Sequence, residues 1–67
     1  MAVYIKKGNR YGIFKFGGPG KLILQEVEWI TANKKRHATV FPNQKAARNA
    51  ITQLHPQAQV GLQIIEE

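Results

Sequence analysis

Six cations fall in two short runs, Lys6, Lys7 and Arg10 near the start and Lys34, Lys35 and Arg36 further along. Runs of this kind suit one chemistry, the neutralisation of phosphates or carboxylates on a partner. Cations that follow a phosphate backbone release condensed counterions, so these six are expected to meet nucleic acid, DNA or RNA, or else the acidic surface of a protein. Asn9 and Tyr11 lie close enough in sequence to reach a base or a sugar. Lys15 shares the strand face of Tyr11, which places a charge and a ring together on the expected solvent side of a sheet. Lys45 and Arg48, on the exposed face of a helix, are secondary candidates. Five of the ten lysines and arginines precede the first acid, and the net charge is +6. The balance favours a polyanionic partner.

Catalytic chemistry has little to stand on. The chain has no cysteine, serine or aspartate and only four glutamates, so nucleophilic triads and thiolate metal sites are excluded. Neither an enzyme nor a cofactor is expected. Glu26 and Glu28 project to the same side of a strand, where neutralisation of cross-strand lysines or arginines is the expected role. His37 and His55 are too far apart for a local metal motif and read as terminal residues of a strand and a helix, the second complementing the helix dipole. Gly17-Gly18-Pro19-Gly20 is expected to form a plain turn, because it lacks P-loop spacing and no helix follows it.

The elements that must position these residues follow from periodicity. Val3 to Lys7 and Tyr11 to Phe16 form a hairpin about Gly8-Asn9, with Phe14 and Phe16 facing the core. Leu22 to Thr31 is a third strand with Ile23, Val27 and Trp29 inward, and His37 to Phe41 a short fourth. Asn43 caps a helix in which Ala47, Ala50, Ile51 and Leu54 repeat at helical spacing, and the small alanines let it lie close to the sheet. His55-Pro56 ends it, and Val60 to Ile64 forms a last strand before an acidic tail. The order is four strands, a helix and a strand, an α+β plan with a mostly antiparallel sheet and the helix on one face. The two basic runs flank alternate connections of a meander, so both are expected at one end of the sheet.

Length confines the 67 residues to a single domain with a small core, for which homodimerisation through the last strand would be a plausible supplement. No stretch reaches the roughly 18 apolar residues of a membrane span or the pattern of a signal peptide, so a soluble, cytoplasmic protein is expected.

Lys34 to Ala47, continuing to Ile51 and Leu54, resembles the third strand and helix of the arm-type DNA-binding domains of phage integrases, with Tyr4 to Phe16 as opening strands. Those domains are three-stranded sheets backed by a helix that dock the sheet in the major groove. The resemblance implies a comparable use of Tyr11, Lys15, Lys35 and Arg36, although the chain adds strands at Leu22 to Thr31 and Val60 to Ile64. Trp29, Ala38, Phe41 and the alanines with Ile51 also resemble the core landmarks of small phage or prophage proteins of unassigned function. That likeness implies an accessory or regulatory role.

Overall fold

The computed structural model describes residues 2–67. Strands β1 (Val3–Lys7), β2 (Arg10–Gly17), β3 (Ile23–Thr31) and β4 (Leu62–Glu66) form one antiparallel sheet in the order β3-β2-β1-β4, and helix α1 (Gln44–Thr52) packs on one face. The α+β plan is thus the observed one, with four strands.

The β1–β2 turn is built as the sequence dictates. Lys7 pairs with Arg10 across a two-residue loop whose first residue, Gly8, has φ 62°, the position at which a II′ hairpin requires glycine. Asn43 caps α1 by accepting a hydrogen bond from the Ala46 amide at 2.8 Å, and Ala47 and Ala50 are buried against Val3, Ile5, Phe14 and Phe41. Small residues at those two positions let the helix settle close to the sheet.

Two departures from the expected pattern have local causes. A bulge on β3 opposite Lys15 and Phe16 pairs Lys15 with Glu26 and Phe16 with Leu24, leaving Gln25 over. The skipped residue reverses the faces of the strand's first turn, so Leu24 joins Val27 and Trp29 against the core while Ile23 is 50% exposed, opposite to its expected place.

The expected fourth strand at His37 to Phe41 is not a strand. Ala32–His37 is a 3-10 segment, and only Phe41 makes a bridge, to Val3. The backbone that follows is extended, Ala38 having φ −69° and ψ 150°, and it enters the sheet without joining a ladder. Strands β1 and β2 pair only at Lys6↔Tyr11 and Lys7↔Arg10 and then splay. Thr39 occupies the β2 side of the gap: its amide donates to the Gly12 carbonyl at 3.1 Å, and its Oγ1 accepts from the Phe14 amide at 2.7 Å. The Phe41 amide donates to the Val3 carbonyl of β1 at 2.8 Å. The chain therefore threads between two strands, from the sheet face opposite α1 to the face that α1 covers.

The last strand begins at Leu62, after Gly61 with φ 81°, so Val60 lies outside it and is exposed. His55 is not on the last turn of α1. It caps the 3-10 turn Pro56–Gln59, its Nδ1 accepting from the Gln57 amide at 3.3 Å.

Candidate nucleic-acid interface

The register of the sheet sets the position of both basic runs. The Gly8-Asn9 turn closes β1 and β2 at one end, Arg10 pairs with Thr31, and Thr31 leads directly into Ala32–His37. The turn that carries Lys6, Lys7 and Arg10 and the start of the segment that carries Lys34 and Arg36 therefore lie at the same end of the sheet. Among the described residues none of these five has a carboxylate partner. Glu66 pairs with Val3 and Glu67 bonds Ala2, at the other end of β1.

Pairing also divides the rim between the two faces. Lys7 and Arg10 stand directly opposite one another on the α1 side, where the Lys7 Nζ lies 5.8 Å from the centre of the Trp29 ring. Lys6 is on the other face, opposite Tyr11, with its Nζ 5.4 Å from that ring. Lys34 and Arg36 are exposed on the 3-10 segment. Like charges directly opposite in a ladder repel, and Lys7 with Arg10 is such a pair.

Three of the residues singled out from sequence are placed otherwise than expected. Tyr11 is buried, at 7% exposure, although it lies on the face away from α1. Its ring packs edge-on against Tyr4 at 5.6 Å, its hydroxyl donates to Glu67 Oε2 at 3.0 Å, and Lys35 lies over both rings. It cannot serve as a stacking platform in this arrangement. Lys35 is held by the same group, its ammonium 4.9 Å from the Tyr4 centroid and paired with the Glu67 carboxylate. Lys15 stands five residues along β2 from Arg10, roughly 16 Å away at strand rise, and pairs with Glu26 at 3.8 Å. That pair fulfils the cross-strand neutralisation expected of Glu26. Lys45 and Arg48 are exposed on α1, as their helical positions require.

Trp29 takes the aromatic place on the rim that Tyr11 does not fill. It is only partly buried, meets Phe14 edge-on at 6.0 Å and carries the Lys7 ammonium over its ring. Sequence periodicity assigned Trp29 to the inward face, and it does pack against the core, its ring lying against Gly12 across the pair. Among the described residues no group of three or more histidines, cysteines or acids gathers to hold a metal ion, and no helix is long and apolar enough to cross a membrane.

Comparisons with models of protein families, with curated proteins and with solved structures find no match to this chain.

Proposed function

We propose that this protein is a non-enzymatic nucleic-acid-binding domain whose hairpin-end rim contacts phosphates through Lys6, Lys7, Arg10, Lys34 and Arg36. The observation that carries the reading is the face-to-face placement of Lys7 and Arg10, with no acid beside them among the described residues. Such a pair costs folding free energy, and a polyanion laid along the rim removes the repulsion while gaining counterion release. Trp29 supplies a ring at the same edge for a base to stack on, and such stacking tolerates any base. Low sequence specificity follows from a contact set dominated by phosphates.

The test is fluorescence anisotropy with labelled single- and double-stranded DNA and RNA over a NaCl series. Affinity is expected to fall linearly on logarithmic axes, and replacing both Lys7 and Arg10 by alanine to lower the slope by about 1.4 to 1.8, two phosphates at ~0.7 to 0.9 each. A Lys45→Ala, Arg48→Ala control is expected to bind as the unaltered chain does. No binding at about 50 mM salt would overturn the proposal and transfer the rim to an acidic protein surface.

A further inference from the structure

At the opposite end of β2 and β3 the glycine-rich connection carries a second unusual site. Gly18 and Gly20 adopt positive φ, as glycines readily do, but the residue after them, Lys21, is also left-handed at φ 53°. No other described residue besides glycine has positive φ. A lysine where glycine would be unstrained is a cost to the fold with no return inside it, since Lys21 has no carboxylate partner among the described residues.

Beside it lies an open apolar pocket of about 260 Å³ between this connection and α1, walled by Phe16, Leu22, Phe41, Ala46 and Ala50, with Lys21 on its edge. Leu22, in the wall, is 73% exposed, so the apolar lining reaches the surface. The Gln53 side chain fixes the wall: its Oε1 accepts from the Leu24 amide at 2.8 Å and its Nε2 donates to the Leu22 carbonyl at 3.0 Å. On α1, exposed Lys45 precedes Ala46 of the wall and stands one turn before Asn49, which also lines the pocket. No carboxylate lines it.

We infer that this pocket docks an acidic peptide segment of a protein partner, an apolar side chain entering between Phe16 and Ala46 and flanking carboxylates meeting Lys21 and Lys45. An apolar centre with a charged rim is the anatomy of a protein interface, and the single sign of the rim selects an acidic occupant. The surface is separate from the hairpin-end rim, so this inference stands whether or not that rim binds nucleic acid.

The experiment selects from a displayed library of random twelve-residue peptides with the full chain, then titrates a synthetic peptide carrying the consensus and follows backbone amide shifts. An apolar residue flanked by aspartate or glutamate is expected to be enriched, with shifts concentrated at Phe16 to Leu24 and Ala46 to Gln53. Lys21→Glu and the pocket-filling Ala46→Leu are each expected to weaken the peptide roughly tenfold. Lys21→Gly relieves the left-handed strain, so it is expected to bind the peptide more weakly while melting no lower than the unaltered chain, which separates docking from folding. The inference is overturned if no consensus emerges, if Lys21→Gly binds undiminished, or if shifts gather at Lys6 to Arg10 instead.

Discussion

Gly12 is where two aromatic rings meet on the core face of the sheet. A Cβ there would stand 2.6 Å from Phe14 Cε1 and 2.9 Å from Trp29 Cζ3, inside any real contact, and both rings are packed. Glycine is required at this position by close approach, since no positive φ occurs there. Gly12→Ala is therefore expected to destabilise the fold by about 1 to 3 kcal/mol, the range of an overpacked core. A lowered urea midpoint with unchanged slope would show it, and an unchanged midpoint would refute the contact. The same substitution should move Trp29, which ties core packing to the rim. Tyr11 illustrates what a single residue hides from sequence. Alternation placed it correctly on the face away from α1, yet its burial depends on Tyr4, Lys35 and Glu67, of which the last is 56 residues away. No local pattern contains that arrangement, and Glu67, read only as part of an acidic tail, is in fact the group that holds the tyrosine and the lysine together.

The wedge at Ala38 to Phe41 decides the architecture at the level of elements. Thr39 bonds both backbone groups of Phe14 through one hydroxyl, accepting from the amide at 2.7 Å and donating to the carbonyl at 3.3 Å. It does with a side chain what a neighbouring strand would do with a backbone. Thr39→Val keeps the shape and leaves the Phe14 groups without a partner, for an expected loss of about 1 to 3 kcal/mol. Thr39→Ser, which retains the oxygen, should recover most of it. Hydrogen exchange at the Phe14 amide gives the direct reading, faster in the valine variant and near normal in the serine variant. Equal exchange in all three proteins would remove Thr39 from this role. Legibility followed the range of the interactions. The hairpin could be read because Gly8-Asn9 encodes its own turn, and α1 because Asn43 and the Ala47, Ala50, Ile51, Leu54 stripe lie within a few turns. The β3 bulge could not, because it is set by pairing with β2 and by nothing in Leu22 to Thr31 alone. His37 to Phe41 was read as a strand, and no residue in it announces that His37 closes a 3-10 segment or that β1 and β2 splay to receive the rest. That the β1–β2 turn and the exit of β3 share one end of the sheet was legible only because β-meander geometry is regular enough to carry local assignments into space.

The whole molecule separates its charges along the sheet. Glu26 is matched with Lys15, Glu67 with Lys35, and Glu66 accepts from Gln44 Nε2 at 2.6 Å, so three of the four glutamate carboxylates are engaged, and none pairs with Lys6, Lys7, Arg10, Lys34 or Arg36 among the described residues. A chain of net charge +6 thus holds five cations without an ion pair in its two basic runs, Lys7 and Arg10 directly opposite one another. Their mutual repulsion acts over distances comparable with the Debye length, which shrinks from about 30 Å at 0.01 M salt to about 8 Å at 0.15 M. Screening should therefore stabilise this fold, whereas a fold held mainly by surface ion pairs would lose stability. Over that interval Tm is expected to rise by about 2–5 °C, since ~1 kcal/mol moves a domain of this size by roughly 4–8 °C. Arg10→Gln should melt higher than the unaltered chain at low salt and gain less from added NaCl, because it removes the Lys7–Arg10 repulsion in advance. Short DNA at low salt should raise Tm further in the unaltered chain than in this variant, binding to the folded state being stabilisation by mass action. A Tm that falls with salt, or an Arg10→Gln variant with the same salt response, would mean that the rim's charges do not oppose folding, and the argument that a polyanion relieves them would go with it.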